Sequence, residues 1–248
     1  KTVDLLLKYG VRYASASAYV RLSPALVRYR LQGITEVNGN VICQNKVFGK
    51  ASHPSVAERF MSPPPKKIVQ KLVRDGILSA AQAELAARIP MADAITVEAD
   101  SGGHTDRRPL SVIVPVMIKL RDVIVKEHAY HQPIWIGAAG GLGDPNSIEA
   151  AFSLGAEYVL LGSVNQSTLE AGTSAMVKQM LGQTSITDCA MGAAPDMFEQ
   201  GAQVQVLSKG TMYATRANKL RDIYRRYESL EDIPEAEITK LERTIFKQ

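Results

Sequence analysis

Apolar residues in this chain gather in short, nearly continuous runs. Val11–Ser17, Lys46–Ala51, Ala94–Val97, Ile134–Ala139 and Tyr158–Ser163 are small or apolar almost throughout. Runs of this length fit strands buried on both faces, which lack the in–out alternation of a half-exposed sheet. A helical pattern follows each run, although a break at 62–92 separates the second pair from the third. Ser23-Pro24 opens a helix to Gly33, with serine as N-cap and proline at the first helical position. Further helices are predicted over 52–60, 110–126, 146–154 and 165–171. Asp144-Pro145 caps the third of these. Five strand–helix units in succession predict an α/β fold with parallel pairing and right-handed crossovers.

Two stretches depart from that rhythm. Ser62-Pro63-Pro64-Pro65 breaks the chain, and two amphipathic helices follow, Lys66–Arg74 and Ser79–Arg88. This segment, 62–92, reads as a helical insertion. From Thr173 onward the pattern is mostly helical, at Ala175–Leu181, Ala214–Tyr227 and Glu235–Phe246, with one short strand at Val204–Leu207. Residues 173–248 therefore read as an appended C-terminal helical region. Asn38-Gly39-Asn40 marks a tight turn.

Composition narrows the function classes. With 248 residues, 46% hydrophobic and 22% charged, the chain can bury a sizeable core. A net charge of +4 without a Lys/Arg block argues against nucleic acid as a partner. Cys43 and Cys189 are isolated, which fits a reducing, cytoplasmic setting and argues against a metal site. No apolar run approaches the roughly 20 residues that cross a membrane. Lys1 begins inside a helical pattern and Thr244-Ile245-Phe246 ends in apolar residues, so both ends read as cut from a longer polypeptide.

Three features carry candidate chemistry. The strand at 94–97 ends in Glu98 and Asp100 and opens into Ser101-Gly102-Gly103-His104. Glycines let a backbone pass close to a flat ligand. His104, whose ordinary pKa is near ~6.5, could then donate or orient a proton, with Asp100 or Asp106 as alternative partners on an exposed loop. The strand at 134–139 runs into Gly140-Gly141-Leu142-Gly143, and the next strand runs into Gly162-Ser163. Paired glycine exits on consecutive strands suit a phosphate, because backbone N–H groups can point at the anion. Tight strand–helix turns are the plainer explanation. Lys50 ends the 46–51 strand, where it could meet a phosphate, a flavin or a carboxylate, or simply face solvent. There is no GxSxG, and the four histidines show no ligand spacing.

Three stretches carry a family resemblance: ADSGGHTDRRPL, GAAGGLGDPNSIEAAFSLGAEYVLLGSVNQSTLEAGTS and AAPDMFEQGAQVQVLSKGTMYATRANKL. Together with ASAYVRLSPALVRYRLQGI and the SPPP insertion, they resemble the PfaD-type trans-acting enoyl reductases of polyketide and polyunsaturated fatty acid synthases. That type lies within the wider nitronate monooxygenase/FabK-like group of flavin barrels. The resemblance implies a TIM (β/α)₈ barrel of which this chain holds the last five strands. Residues 1–61 would carry strands four and five, and 93–172 strands six to eight with the phosphate loops. It implies FMN as cofactor and NADPH as hydride source. The substrate would be an α,β-unsaturated thioester on an acyl carrier protein. Gly140, Gly141, Gly162 and Ser163 would hold the FMN phosphate, and Lys50 would touch the flavin or its ribityl chain. Gly102, Gly103 and His104 would line the ring and the substrate, with His104 as catalytic acid or orienting group and Glu98 on the flavin side.

Two rivals share parts of this pattern. One is a flavin oxidase acting on nitronates. The other is a non-catalytic subunit that docks a carrier protein through Arg216, Lys219, Arg221, Arg225 and Arg226 on the 214–227 helix. A solvated basic face explains those five residues equally well.

Overall fold

The structure, a computed structural model, describes residues 1–17 and 22–246. Residues 18–21, part of the quoted 16–34 stretch, lie outside the described residues. The chain forms two compact units. One comprises Lys1–Asp100 and Thr105–Gly162, the other Ser101–His104 and Ser163–Gln248.

The nine strands of the described residues are β1 (Tyr13–Ser17), β2 (Thr35–Val37), β3 (Asn40–Ile42), β4 (Lys46–Ala51), β5 (Ala94–Glu98), β6 (Trp135–Ala139), β7 (Tyr158–Leu160), β8 (Cys189–Ala193) and β9 (Gln203–Leu207). In the first unit, five of them form a sheet in the order β1-β4-β5-β6-β7, every pair parallel. This is the five-strand arc of a (β/α)₈ barrel, and the arc does not close on itself. The β2–β3 hairpin turns through Asn38 and Gly39 at φ 51° and 79°, the left-handed pair that a two-residue hairpin requires.

The two faces of the sheet differ. Val47, Ala51, Ile95, Val97, Ile136 and Ala138 are fully or almost fully buried beneath helices. Helix Pro54–Met61 packs close enough that a Cβ on Gly49 would come within 2.7 Å of the Phe60 ring. The register puts Tyr13, Ser15 and Ser17 opposite Lys46, Phe48 and Lys50 on the other face. Thr96 and Glu98 continue this row through β5, and Gly137 and Tyr158 through β6 and β7. Alternation is thus present, but its partner layer on one side is helical.

Local sequence explains the element ends. Ser23 Oγ accepts from the Leu26 N–H at 3.2 Å, and Pro24 begins helix Pro24–Leu31. Ser79 and Gln82 form a reciprocal capping box at the start of Ala80–Ala86. Arg30, fully buried, bonds Asp93 at 2.5 Å and the Asn45 carbonyl at 2.9 Å. Asp93 also accepts from Lys46 Nζ and the Val47 N–H, so one carboxylate gathers the bottoms of β4 and β5.

In the second unit the sequence pattern marks only Val204–Leu207 as a strand. The structure pairs Gln203–Leu207 with Cys189–Ala193 as an antiparallel hairpin, against which helix Tyr213–Arg226 packs. Strand β8 reads CAMGA, too small and mixed to announce itself by periodicity. No helix of the described residues is long and apolar enough to cross a membrane.

Candidate active site

Parallel strands bring their C-terminal ends to one edge, and this edge gathers most of the first unit's candidate residues. Lys50 ends β4 one position before Ala51, and Glu98 ends β5. Lys50 Nζ lies 2.7 Å from Glu98 Oε1, with both side chains mostly buried. The register sets Lys50 beside Thr96, so Glu98 is its diagonal neighbour one step nearer the exit. Lys50 thus meets a carboxylate, one of the partners the sequence leaves open for it. The pair fixes an ammonium at the mouth of the sheet.

The glycine exits occupy the next two strands. Gly140 has φ 102°, and a Cβ there would lie 2.8 Å from the Ala99 carbonyl oxygen. The β6 exit therefore presses against the β5 exit in a way only glycine allows. By contrast, a Cβ on Gly141, Gly143 or Gly162 would meet no atom within 4 Å. The backbone at these positions is open to a ligand, which is what an anion cradle requires. The helix that follows, Pro145–Ser153, is capped by its own Asp144, which accepts from the Asn146 and Ser147 N–H groups. Those bonds hold the Asp144 carboxyl below its usual range. That helix end is therefore occupied, and the glycine backbone is what remains for a phosphate. Ser163 begins a short helix, Ser163–Gln166, in the second unit.

Below Lys50 this face of the sheet is aromatic. Tyr158 OH and Thr96 Oγ1 share a hydrogen bond of 2.8 Å. The Tyr158 ring stands edge-on to Phe48 at 5.9 Å and 82°. A Cβ on Gly137 would fall 2.2 Å from the Tyr158 ring, so the missing side chain is what admits the tyrosine. Toward the strand starts, a cavity of about 530 Å³ is lined by Tyr13, Phe48, Trp135 and Tyr158 among others. Nothing in the local sequence singles out Thr96, Gly137 or Tyr158.

Gly102, Gly103 and His104 belong to the second unit. A Cβ on Gly102 would touch the Gln205 carbonyl oxygen of β9 at 3.5 Å, so the loop runs alongside the hairpin. His104 Nε2 lies 3.1 Å from Asp196 Oδ2 and 3.3 Å from Oδ1. Sequence proximity offers Asp100 and Asp106 as partners. Asp106 instead accepts from Ser52 Oγ at 2.8 Å. Asp196 escapes a reading of local spacing because it lies 92 residues away, although it sits inside the AAPDMF stretch that carries the resemblance.

Two further features resolve in local terms. The Nδ1 atom of His53 caps helix Pro54–Met61 by accepting from the Ser55 N–H. The five basic residues of the 213–226 helix do not form one free patch. Lys219 and Arg226 face Glu237 at 3.9 and 3.6 Å, and Arg221 stacks against Phe198 and Tyr224. Among the described residues, no group of three or more His, Cys, Asp and Glu side chains could hold a metal ion.

The chain is 47% identical over 249 residues to polyketide biosynthesis protein PksE of Bacillus subtilis (strain 168), covering 100% of the chain and 32% of that protein. It is 43% identical over 249 residues to a polyunsaturated fatty acid synthase polypeptide of Thraustochytrium sp., covering 99% of the chain and 17% of that polypeptide. The crystal structure of the enoyl reductase domain of MlnA, from the macrolactin biosynthesis cluster of Bacillus amyloliquefaciens, superposes with a TM-score of 0.94 at 43% identity. That match covers 100% of this chain and 56% of the other. The chain thus spans a third or less of these curated relatives and about half of the solved one. These relatives agree with the PfaD-type resemblance. Residues 47–220, from β4 through the glycine exits to the helix beyond β9, match the nitronate monooxygenase family model, and the chain belongs to that family.

Proposed function

We propose that this chain carries the chemistry of an FMN-dependent enoyl reductase. It would act in trans on α,β-unsaturated thioesters carried by an acyl carrier protein, in polyketide or polyunsaturated fatty acid biosynthesis. The observation that carries this reading is the strand-exit edge of the sheet. There a fixed Lys50 ammonium stands on β4, and ligand-accessible glycine backbone follows β6 and β7. These residues suit a flavin mononucleotide, which has an anionic end and a flat, electron-accepting ring. The similarity to the MlnA enoyl reductase domain supports the same choice.

The chemistry such a flavin supplies is hydride transfer, taken from NADPH and given to the β-carbon of the thioester. Gly140, Gly141, Gly162 and Ser163 would hold the phosphate, with open space beside the backbone of Gly141 and Gly162. Lys50, oriented by Glu98, would stabilise negative charge on the reduced ring or meet its ribityl chain. Gly102 and Gly103 would let the loop approach ring and substrate. His104 would give a proton to the α-carbon as the hydride arrives at the β-carbon, completing addition of H⁻ and H⁺ across the double bond.

The test is anaerobic stopped-flow spectroscopy on the FMN-loaded protein. NADPH should bleach the flavin absorbance, and a crotonyl thioester on a carrier protein should restore it. A protein that NADPH does not bleach, or that a nitronate reoxidises while the thioester does not, would refute the proposal in favour of a nitronate oxidase.

A further inference from the structure

We infer that Asp196 is the positioning residue of His104, and that the β8–β9 hairpin is the frame that holds it in place. This rests on the reading of His104 as the proton donor. The first ground is geometry: both Asp196 oxygens lie within hydrogen-bond reach of His104 Nε2, at 3.1 and 3.3 Å. The second is the way Asp196 is mounted. It sits in a single helical turn, Pro195–Met197, directly after β8. The two residues before that turn, Ala193 and Ala194, are 2% and 0% exposed.

Their backbone is tied from several directions. The Ala194 N–H donates to the Ala202 carbonyl at 2.9 Å across the hairpin. The Ala193 N–H donates to Asn218 Oδ1 at 3.0 Å, and the Ala193 carbonyl accepts from the Tyr213 hydroxyl at 2.9 Å. Asn218 also donates to the Met191 carbonyl, so one side chain clamps β8 at two points. On the other side of the turn, Phe198 packs edge-on to Tyr224. The proline and these bonds fix the backbone of the turn that carries Asp196, while Gly102 runs against β9.

The chemistry follows the logic of any carboxylate–imidazole pair. An ionised carboxylate accepts one N–H, selects that tautomer, orients the ring and stabilises the imidazolium. Asp196 is suited to this, because the bond from His104 is the main cause of a carboxyl held below its usual range. The carboxylate is 66% exposed, so as a surface ion pair it contributes little to folding. Its removal should act on the ring.

The experiment compares Asp196→Ala and Asp196→Glu with the parent, and with His104→Ala and the double variant, in the FMN-loaded protein. Two readouts are needed. The first is the imidazole ¹⁵N spectrum of His104, which does not depend on turnover. The second is steady-state enoyl reduction. For Asp196→Ala we expect loss of the Nε2–H tautomer pattern and a kcat lower by about 10- to 100-fold, the usual cost of removing an orienting partner. KM, flavin content and the urea midpoint should stay unchanged. Asp196→Glu should recover part of kcat, and Asp196→Ala should cost nothing further once His104 is alanine. An unchanged tautomer pattern, an unchanged kcat, or full additivity with His104→Ala would overturn the inference. If the parent reduces no enoyl thioester, the functional reading fails, and the ¹⁵N spectrum still decides whether Asp196 holds His104.

Discussion

Gly137→Ala offers a direct measure of how tightly the aromatic face beneath the strand exits is built. The new methyl would lie 2.2 Å from Cε2 and Cζ of Tyr158 and 2.6 Å from Cδ2. Carbon atoms settle at about 3.5–4.0 Å, so the ring must retreat by more than about 1 Å. It cannot do so without cost. The move gives up the 2.8 Å bond to Thr96, worth about 1 kcal/mol, and the edge-on contact with Phe48, worth about 0.5–1.5 kcal/mol. Residual crowding adds about 1–3 kcal/mol. Replacing glycine within a strand returns up to about 1 kcal/mol. The expected net loss is about 3 kcal/mol, close to a 1.5 M fall in urea midpoint at a slope of about 2 kcal/mol/M. The chain has a single tryptophan, Trp135, which lines the same cavity as Tyr158, so its fluorescence reports this unit without interference. Removing the ring should abolish the penalty: in a Tyr158→Ala background, Gly137→Ala should cost less than about 0.5 kcal/mol. An equal cost in both backgrounds, or a negligible cost in the parent, would refute the reasoning.

Three further outcomes follow from the same structure. Gly140→Ala places an alanine at φ 102° with its Cβ 2.8 Å from the Ala99 oxygen. It should cost about 1–3 kcal/mol and strip FMN from the protein during gel filtration, read as loss of visible absorbance. At alkaline pH, burial holds the Cys43 thiol and the Tyr29, Tyr130 and Tyr158 phenols above their usual values. The folded state therefore keeps protons that the unfolded chain releases. The stability these four groups contribute should be fully present below about pH 8.5 and be lost as pH rises past the unfolded thiol and phenol values of about 8.5 and 10. Urea midpoints at pH 7.5 and 10.5 check this. In native protein at neutral pH, a disulfide reagent should modify Cys189 well before Cys43.

The elements that can be read from the chain are those whose pattern is set by their own residues. Strand β4, with Val47 and Ala51 under helices, matches the residues expected from its composition. The helix at Lys66–Arg74 is equally clear, since Val69 and Leu72 form its buried stripe. What escapes is set by distant partners. Strand β8 is short and small-sided, and it is a strand because β9 and Asn218 hold it. The spacing of Arg216 to Arg226 gives a helix face but not the Glu237 and aromatic rings that occupy it. The site divides in the same way. Lys50 and the glycine exits are legible from position at strand ends, but neither the Lys50–Glu98 pair nor the His104–Asp196 pair can be read from local spacing.

The division of the chain into its two units has a consequence for anyone who cuts or recombines it. The path passes from one unit to the other after Asp100, back after His104, and across again after Gly162. A protein truncated at Gly162 would keep the His104 loop and lose Asp196 and the β9 backbone beside it. A chimera joined at the same point would take its histidine from one parent and that histidine's carboxylate from another. Modular exchange is therefore safe only when the four residues 101–104 travel with the tail, so the unit of inheritance here is discontinuous in sequence.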